Sequence, residues 1–397
     1  MKVLIHDYAG HPFQAQLSRE LSRRGHDVVH SSCAAYSSGK GKLTAQPGER
    51  LRFEQIGVGA SIAKMRFRRR VFQELRLGLE LARHIRRERP DVTLVANTPV
   101  PTLIVMAAVL MVVRLPWVLW HQDVQAVAIR SFAGTQLSPV YRWVAAVIEV
   151  GERWCARRAA AVVVIAEGFV DVHRRWRTDA KTEVIPNWAP LDEIAPVERK
   201  NDWAVDHRLD DVRTLLYSGT LGLKHNPGLL VKLARAVEDQ GTPVRLVVVN
   251  EGPAAEVVAQ EAQQLGVDLE LLPFQPYEVL PQVLGSGDVL VVLLEQTAGE
   301  FSVPSKTLSY LCAGRPILGL MPAENLAAGL VERADGKVLP PADESIAEAA
   351  GWVCDLLADR PRAEEVGRRS RSLAEEEFAL DGCADRFETI LAAAARQ

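Results

Sequence analysis

Two short stretches place a lysine beside small residues at the expected start of a helix. The first is LLYSGTLGLKHNPG, residues 215–228, in which a strand pattern leads into Gly219, Gly222 and Lys224. Glycine lets the backbone approach a ligand closely, and the free N–H groups at a helix start attract phosphate. The chemistry indicated by this stretch is the binding of an anion.

The second stretch is VPSKTLSYLCAGRP, residues 303–316. Pro304 favours a helix start, Ser305 carries a hydroxyl, and Lys306 adds a positive charge to the first turn. The dipole of the helix disfavours a cation at that end. Lys306 therefore indicates an anionic ligand at the start of this helix.

The rest of the chain must position these two stretches. Short β-branched runs alternate with helical stretches, which predicts parallel strands joined by crossover helices. We place a linker at Ala189–Asp211, which has no clean period, two prolines and many charges, between domains at 1–190 and 191–378. The predicted strands are KVLI, HDVVH, VTLVA, WVLWH, AVVVIA and TEVIPN in the first domain and TLLYSGT, RLVVVNEG, LELLPF, DVLVVLL, PILGLM and GKVLP in the second.

The predicted fold class is therefore α/β, with two doubly wound, Rossmann-like domains. Such domains create a cleft between the carboxyl ends of their strands, and ligands of these sheets bind at those ends. Both lysine stretches follow a predicted strand, so we expect them at the cleft.

Composition limits the class of protein. The 397 residues suffice for two domains, and 48% hydrophobic with 24% charged residues is typical of a soluble globular chain. The five cysteines are scattered without a CxxC pair, which fits a reducing cytosol rather than a disulfide framework or a zinc site. The opening MKVLIHDY is too short an apolar run for a signal peptide. Pro99–Val113 is shorter than the roughly 20 apolar residues that span a bilayer, so it predicts a buried helix.

Charge is divided unevenly along the chain. Lys and Arg minus Asp and Glu gives 28 − 16 = +12 for residues 1–190 and 19 − 34 = −15 for residues 191–397. Much of the positive excess lies in Lys64–Arg89, a basic amphipathic helix with ten basic and three acidic residues. Two interpretations stay open, a solvated helix face and attraction to an anionic membrane surface. Nucleic acid is disfavoured because no recognised binding motif accompanies the charge.

Five motifs occur in an order that resembles the retaining glycosyltransferases of family 4, which have the GT-B fold. They are VIPNW, GTLGLKH, VVNEGP, LPFQPYEVLPQVLGSGDVLVV and PSKTLSYLCAGRPIL. The pattern is most similar to the bacterial exopolysaccharide and O-antigen glycosyltransferase type, and the resemblance covers nearly the whole chain. It implies two Rossmann-like domains facing a central cleft, and a C-terminal helix, 379–397, that crosses back to the N-terminal domain.

By this resemblance, the two lysine stretches hold the diphosphate and sugar of a nucleotide-sugar donor. Gly219, Thr220 and Gly222 lie beside the phosphates, and Lys224 neutralises them as the leaving group departs. The donor contacts implied in the second stretch are Ser302, Ser305, Lys306, Thr307 and Ser309.

The chain departs from the family at one pair of positions. The family commonly has two glutamates separated by seven residues, the second of which binds the nucleotide ribose. The aligned positions here are Phe301 and Ser309. Glu300 supplies the first carboxylate, as a catalytic residue, if the loop is shifted by one residue. A ribose contact by Ser309 or Thr307 is weaker than one by a carboxylate, so the departure affects donor affinity.

In the first domain the resemblance points to DYAGHPF and WHQD. Gly10 allows donor and acceptor to approach closely, and His121 faces the transferring sugar as a catalytic residue. The structural alternative for His121 is a hydrogen-bonded histidine at a strand end. Asp123 is equally explained as a helix N-cap, and Glu167 as a cap or a first-turn acid.

The implied reaction retains the configuration of the transferred sugar. The acceptor hydroxyl attacks on the face from which the nucleoside diphosphate leaves, and the leaving phosphate takes the proton. Cations and helix N-termini stabilise the developing charge. The sequence has no DxD triplet, so we expect neither a metal nor a cofactor. The expected partners are a nucleotide-sugar donor and a glycan or polyprenyl-diphosphate-linked acceptor, in a cytoplasmic protein that the basic helix would hold at the inner face of the membrane.

Two other functions stay open at this point. One is a sugar-nucleotide epimerase with the GT-B fold, which would convert a nucleotide sugar without an acceptor. The other is a donor-binding or scaffold protein without turnover, motivated by the missing carboxylates at 301 and 309.

Overall fold

The chain folds into two compact units. The structure is a computed structural model that describes residues 1–34, 43–45, 47–57, 67–132, 139–222, 225–296 and 305–397. The N-terminal unit comprises Met1–Asn187 together with Leu380–Gln397, and the C-terminal unit comprises Trp188–Ala379. These boundaries lie within a few residues of those that the sequence pattern indicates.

The N-terminal unit is built on a parallel sheet. Its strands in the described part of the chain are β1 (Lys2–Asp7), β2 (Asp27–Cys33), β3 (Leu51–Ile56), β4 (Val92–Ala96), β5 (Trp117–His121), β6 (Ala161–Val164) and β7 (Thr182–Val184). They lie in the order β3-β2-β1-β4-β5-β6-β7, in which the chain starts near the centre and winds outward in both directions. The central strands β4 and β5 are buried along their whole length, as expected for a sheet covered on both faces.

Helices connect these strands. They are α1 (Pro12–Arg23), α2 (Phe67–Glu88), α3 (Val100–Val113), α4 (Gln125–Phe132), α5 (Pro139–Arg158) and α6 (Glu167–Trp176). α1 begins at Pro12, whose missing N–H costs nothing in a first turn. α2 packs on α3, and α3 packs on α5.

The C-terminal unit repeats the scheme. Its strands are β8 (Thr214–Ser218), β9 (Arg245–Val249), β10 (Leu269–Leu272), β11 (Val289–Leu293), β12 (Ile317–Leu320) and β13 (Lys337–Leu339), paired in parallel in the order β10-β9-β8-β11-β12-β13. Its helices are α7 (Asp202–Asp206), α8 (Gly228–Asp239), α9 (Pro253–Leu265), α10 (Leu280–Gly285), α11 (Ser305–Cys312), α12 (Leu326–Arg333), α13 (Ile346–Ala358) and α14 (Arg360–Glu377).

The segment Ala189–Asp211 is part of the C-terminal core rather than a loose linker. Ile194 and Trp203 are buried in one of the hydrophobic clusters that pack on the sheet. Asn201 caps α7, its side-chain oxygen accepting a hydrogen bond from the Ala204 N–H at 3.0 Å. The absence of a clean period in this segment therefore reflects short turns and a short helix on the core surface.

The strands predicted from the sequence all occur, and the described residues contain one further strand, β3. β3 has the mixed sequence LRFEQI and lies at the edge of its sheet, where its pairing to β2 exposes part of its side chains. An edge strand need not be apolar on both faces, so hydrophobic runs alone do not reveal it.

α3 corrects the expectation of a buried helix at Pro99–Val113. One side of the helix is buried, including Leu103, Met106 and Leu110, but Met111 and Val112 are exposed. Across the parts of the chain that the structure describes, we find no helix whose length and apolar character would suffice to cross a bilayer.

The last helix, α15 (Leu380–Ala395), packs on the N-terminal unit against α1, β4 and β5. The Phe387 ring lies 4.6 Å from the Trp120 ring, centroid to centroid. Glu388 accepts hydrogen bonds from Arg24 Nη1 at 3.1 Å and is 2.8 Å from His26 Nε2. The C-terminal helix is thus part of the hydrophobic core of the N-terminal unit.

We expect Phe387→Ala to destabilise the N-terminal unit. The side chain is fully buried against Trp120, so its removal should lower the free energy of unfolding by about 3–5 kcal/mol. Calorimetric or denaturant unfolding measures this change. Thr389→Ala, an exposed site on the same helix, is the control and should stay within about 0.5 kcal/mol of the parent. Equal effects of the two substitutions would contradict the packing role of α15.

Candidate functional site

Lys306 lies at the carboxyl edge of the C-terminal sheet, in the first turn of α11. Its ammonium group donates hydrogen bonds to the Tyr217 hydroxyl and to the Thr220 carbonyl, the latter at 3.1 Å. The same group lies 4.1 Å from the centre of the Tyr217 ring, a cation–π distance. No carboxylate in the described residues forms an ion pair with it. Lys306 is therefore a half-buried cation with neutral partners.

Burial determines the protonation of this pair. Desolvation lowers the pKa of Lys306 to about 7. It also raises the pKa of Tyr217, so the phenol stays neutral and donates its own hydrogen to the Thr220 carbonyl at 2.8 Å. An anion beside Lys306 would favour the charged ammonium and raise its pKa again.

The turn after β8 is fixed by hydrogen bonds from several sides. Gly219 has a φ of +131°, a conformation that side chains rarely adopt, and its N–H donates to the Val249 carbonyl at 3.1 Å. The side-chain oxygen of Asn250 accepts from the Leu221 N–H at 3.1 Å. The Tyr310 hydroxyl accepts from the Ser218 N–H at 2.8 Å. Ser218, Gly219 and Leu221 are therefore each held by a hydrogen bond to a neighbouring part of the C-terminal unit.

The other predicted donor residues fall into two groups. Gly222 accepts a hydrogen bond from the His225 N–H within the same turn, and Ser309 is half-buried on α11. Thr307 is buried, and its hydroxyl has no hydrogen-bond partner in the described residues. Lys224, Glu300 and Ser302 lie outside the described residues, as does the side chain of Ser305, so their roles stay predictions.

A cavity of about 220 Å³ opens at the carboxyl edge of the N-terminal sheet. It is bordered by the residues that follow β1, β4 and β5, and by polar groups from α2 and α5. The lining includes Tyr8, His11, Arg70, Asn97, His121, Asp123 and Glu152. The structure thus brings the predicted stretches DYAGHPF and WHQD together.

Asp7 shapes the loop that contains Gly10. Its buried carboxylate accepts hydrogen bonds from the His11 N–H and from Asn97 Nδ2, the latter at 3.1 Å. Burial alone would raise the pKa of Asp7, but the interactions with His11 and Asn97 outweigh burial and hold the pKa below its usual value. Gly10 has a φ of +77°, so the loop needs glycine there.

His121 ends β5 and belongs to a chain of hydrogen bonds. Its Nδ1 lies 3.1 Å from His173 Nε2. His173 Nδ1 lies 2.9 Å from the Thr178 hydroxyl, which itself donates to the His173 carbonyl at 3.2 Å. Desolvation, assisted by nearby positive charge, lowers the pKa of His173 to about 3, so this ring is neutral.

These contacts assign the tautomers. Because the Thr178 hydrogen is used on a carbonyl, His173 must donate through Nδ1 and accept through Nε2. His121 then donates through Nδ1, and its other ring nitrogen, Nε2, lies 3.6 Å from Glu152 Oε1. A proton gained at Nε2 would face a carboxylate. The partners explain why His121 is ordered, but they leave one ring nitrogen available for chemistry.

Glu152 also corrects the interpretation of Asp123 as a helix cap. The Glu152 carboxylate accepts hydrogen bonds from the Gln125 N–H at 2.7 Å and the Ala126 N–H at 3.2 Å, so it occupies the N-terminus of α4. Asp123 lines the cavity instead, and desolvation raises its pKa. Glu167 is an exposed acid in the first turn of α6, where its negative charge interacts favourably with the positive end of the helix dipole.

Sequence reasoning missed the residues that support these sites. Tyr217, Asn250 and Tyr310 hold the turn after β8, while Glu152 and His173 contact His121. Asn250 had a signal, because it lies in the motif VVNEGP near the end of a predicted strand. Glu152 and His173 lie inside amphipathic helices, where nothing in the local sequence distinguishes them from core residues.

One group of residues in the described part of the chain has metal-ligand spacing, Glu54, His84 and Glu88. Both carboxylates are already bound to cations, since Arg52 contacts Glu54 at 2.8 Å and Glu88 at 2.7 Å. Lys2 adds a further contact to Glu88 at 3.2 Å. The positive charge of these side chains disfavours a metal cation at this position.

Two doubly wound units, each with polar groups at the carboxyl edge of its sheet, define the GT-B class of fold. Residues 10–188 match the family model of the glycosyl transferase 4-like domain. The chain is 28% identical over 133 residues to a protein of Escherichia coli (strain K12) named as a colanic acid biosynthesis glycosyl transferase, WcaI. That match covers 32% of each protein, so the chain spans about a third of the length of the curated relative it matches.

Solved structures extend the likeness to the whole fold. The Anabaena protein HepE, in complex with UDP and glucose, is 14% identical, with a TM-score of 0.73 and coverage of 99% of this chain and 100% of that one. Sucrose-phosphate synthase from Thermosynechococcus elongatus is 15% identical, with a TM-score of 0.72 and coverage of 98% of both chains. The resemblance to GT-B glycosyltransferases and the α/β fold class are confirmed.

The lowered pKa of Lys306 predicts a pH dependence of stability. An unfolded lysine titrates near about 10.4, so between pH 7 and 10 the unfolded state binds more protons than the folded state. Stability of the C-terminal unit should rise over this range by at most about 1.4 kcal/mol per pH unit. Lys306→Met should flatten the rise, as measured by denaturant unfolding from pH 7 to 10. Lys232→Met, at a lysine paired with Asp343, is the control. A slope that Lys306→Met leaves unchanged would contradict the lowered pKa.

Proposed function

We propose that the protein is a retaining glycosyltransferase that moves a sugar from a nucleotide-diphosphate sugar to a glycan or lipid-linked acceptor in cell-surface polysaccharide biosynthesis. The single observation on which the proposal rests is the environment of Lys306. Lys306 is a cation in the first turn of a helix, next to a glycine turn, with only neutral contacts among the described residues. A diphosphate is the ligand class that such an arrangement binds.

The donor diphosphate would lie between the turn after β8 and the start of α11. Lys306 offers a charge close to the backbone of Gly219, since a Cβ built on that glycine would be 3.5 Å from the lysine ammonium. The α11 N-terminus adds a favourable dipole. As the sugar bond breaks, negative charge grows on the leaving diphosphate, and these groups stabilise it. Lys224 is proposed to assist from the same turn.

The cavity around His121 would receive the acceptor and the transferring sugar. The chain through His173 and Thr178 occupies Nδ1 of His121, so Nε2 is the ring nitrogen that a ligand would contact. That nitrogen accepts a hydrogen bond from a sugar hydroxyl, and Glu152 stabilises any positive charge that the ring gains. The acceptor hydroxyl attacks from the face that the diphosphate leaves, and the diphosphate takes its proton.

The names of similar proteins support this assignment. The relative WcaI is named for colanic acid biosynthesis, and HepE has been crystallised with UDP and glucose. We propose a UDP-sugar as the first donor to test. The residues proposed for catalysis need no metal ion, because Lys306 and the helix N-terminus supply the positive charge.

A transfer assay tests the proposal. Labelled UDP-sugars are incubated with lipid-linked acceptors extracted from bacterial membranes, and the product linkage is read by NMR. We expect Lys306→Gln to lower kcat by about 10²–10³-fold, the loss seen when one group that stabilises transition-state charge is removed. Lys232→Gln, an ion-paired lysine on α8 of the same unit, should retain activity.

Three outcomes would contradict the proposal. A product with inverted configuration would exclude the retaining reaction. An epimerised nucleotide sugar formed without acceptor would favour the epimerase. A protein that binds the donor but shows neither transfer nor slow donor hydrolysis would favour the donor-binding scaffold. Donor hydrolysis that His121→Ala leaves unchanged would favour the scaffold as well.

We also propose that the N-terminal unit attaches to an anionic membrane surface. Three adjacent helices carry exposed apolar side chains, which we call the α2–α3–α5 face: Phe72, Leu75, Leu79, Ile104, Met111, Val112, Trp143, Val147 and Val150. Gly78 and Gly151 let α3 pack closely between its neighbours, because a Cβ on either would clash with α3 at 2.7 Å. The apolar residues are therefore held on one continuous group of helices.

Basic residues share this face on α2. Arg76, Arg83 and Arg86 are exposed and follow Phe72 and Leu79 at helical spacing. Apolar side chains flanked by arginines suit a helix lying in the headgroup region, with the protein at the inner face of the cell membrane. The occupant proposed for the face is an anionic bilayer, because charge and apolar surface occur together.

Vesicle sedimentation tests this attachment. Each cation near an anionic surface adds about 1 kcal/mol to binding at low salt. The protein should therefore bind vesicles that contain phosphatidylglycerol and dissociate from them at high salt. It should not bind neutral vesicles. Charge reversal of Arg76, Arg83 and Arg86 to Glu should abolish binding. These sites avoid Arg70, which lines the cavity around His121.

The control for this test is the same charge reversal at Arg333, Arg362 and Arg369, exposed residues of the C-terminal unit. The control should still bind anionic vesicles. Equal sedimentation of all variants with neutral and anionic vesicles would leave α2 as a solvated helix.

A further inference from the structure

A second and larger cavity lies at the opposite edge of the C-terminal sheet. Its volume is about 970 Å³, and it is bordered by residues that precede β8, β11 and β12 and by one side of α14. Arg213, Asp288 and Arg315 are its contributions from the strand starts. None of these residues belongs to the proposed donor site, which lies at the carboxyl edge of the same sheet.

The cavity is cationic within an acidic part of the chain. Residues 191–397 contain 19 basic and 34 acidic residues. Seven of the 19 basic residues line this one cavity, against three acidic residues, Glu198, Asp288 and Glu364.

Five of the seven cations are in ion pairs, as Arg199 is with Asp288 at 3.1 Å. The other two, Arg213 and Arg315, have no carboxylate partner in the described residues. Arg213 is exposed at the start of β8. Arg315 donates one hydrogen bond, from Nη2 to the Val197 carbonyl at 3.0 Å. The cavity therefore holds two cations that form no direct ion pair among the described residues.

Two buried guanidinium nitrogens beside the cavity also lack acceptors. Arg315 Nε and Arg199 Nη1 are buried and have no hydrogen-bond partner among the described residues. Burial lowers the pKa of Arg315, with the charge of Asp288 acting in the opposite direction. Buried donors on charged groups are normally paired. An anion in the cavity would favour the charged form of Arg315.

The loop that carries Arg315 is rigidly held. Gly314 has a φ of +64°, and a Cβ added to Gly367 of α14 would lie 2.3 Å from the Gly314 carbonyl oxygen. Arg371 of α14 donates to the Cys312 carbonyl at 3.1 Å, at the end of α11. The position of Arg315 is therefore fixed by close packing of α14, and a ligand would not have to order the loop first.

We propose that this cavity is a second anion site, separate from the donor site, that binds a small molecule carrying a diphosphate group, with Arg213 and Arg315 as its main cations. The two sites are separated by the length of β8, five residues or roughly 16 Å at about 3.3 Å per residue. One helix connects them, because α11 begins beside Lys306 and leads through Gly314 to Arg315. The cavity would thus be an effector site rather than part of the substrate site.

Calorimetric titration of the full chain with inorganic pyrophosphate, at fixed ionic strength and without divalent cations, tests the proposal. We expect binding that the double variant Arg213→Gln/Arg315→Gln weakens at least tenfold. Arg213→Gln alone, at an exposed site that cannot disturb the core, should weaken it several-fold. Pyrophosphate would also bind at the donor site, so Lys306→Gln should remove that contribution and leave the binding that depends on Arg213 and Arg315 unchanged.

The matched control is Arg333→Gln/Arg362→Gln, which removes the same charge from exposed positions outside the cavity. Binding in this control should equal that of the parent. The proposal is overturned if the parent does not bind pyrophosphate, if Lys306→Gln abolishes the binding, or if the control and the double variant lose it equally. The last result would mean that pyrophosphate responds only to net charge. None of these outcomes depends on transfer activity, so the test is independent of the proposed function.

Discussion

Parallel strand pairing gathers the ends of many strands at one edge of a sheet, and both candidate sites depend on this constraint. Asp7, Asn97 and His121 are far apart in the sequence, yet each follows or ends a strand of the N-terminal sheet. In the C-terminal sheet the same edge collects the turn after β8 and the start of α11. The amino edge gathers Arg213 and Arg315 for the same reason. Crossover helices separate these residues in sequence, and the common strand direction brings them together.

Burial acts on the gathered groups in different ways. It lowers the pKa of Lys306 to about 7, because its partners are a neutral phenol and a carbonyl that do not replace lost hydration. It lowers the pKa of His173 to about 3, which makes that ring a permanent neutral link to His121. Asp7 is buried as well but receives hydrogen bonds from His11 and Asn97, so its carboxylate stays charged. Hydrogen-bond donors and acceptors, rather than burial alone, decide which groups keep their charge.

Periodicity in the sequence predicts the two sheets because their strands are apolar on both faces, and turn chemistry predicts the glycine turn and the helix start at Lys306. The edge strand β3 escapes this reasoning, since half-exposed strands lack a continuous apolar run. His173 and Glu152 escape it because their roles arise from contacts between α5, α6 and β5, which no local spacing records. The composition of Ala189–Asp211 predicts a linker, because irregular turns on the surface of a core have the same prolines and charged residues as a linker. In the structure this segment packs on the C-terminal core.

The charged side chains of the protein are concentrated on particular surfaces and are not distributed evenly. A net negative unit repels anionic ligands at a distance, so an anion site there needs concentrated cations. The C-terminal unit has cations at both edges of its sheet: Lys306 lies at one edge, and the arginine-lined cavity lies at the other. Elsewhere in the unit many cations are paired with acids along helices, as Arg235 is with Asp239, and these pairs contribute little to the electric field around the protein. In the N-terminal unit the exposed arginines of α2 stand beside exposed apolar residues instead. In the C-terminal unit, cations without an ion pair among the described residues, such as Lys306, Arg213 and Arg315, rather than the total charge, therefore mark the surfaces where anions would bind.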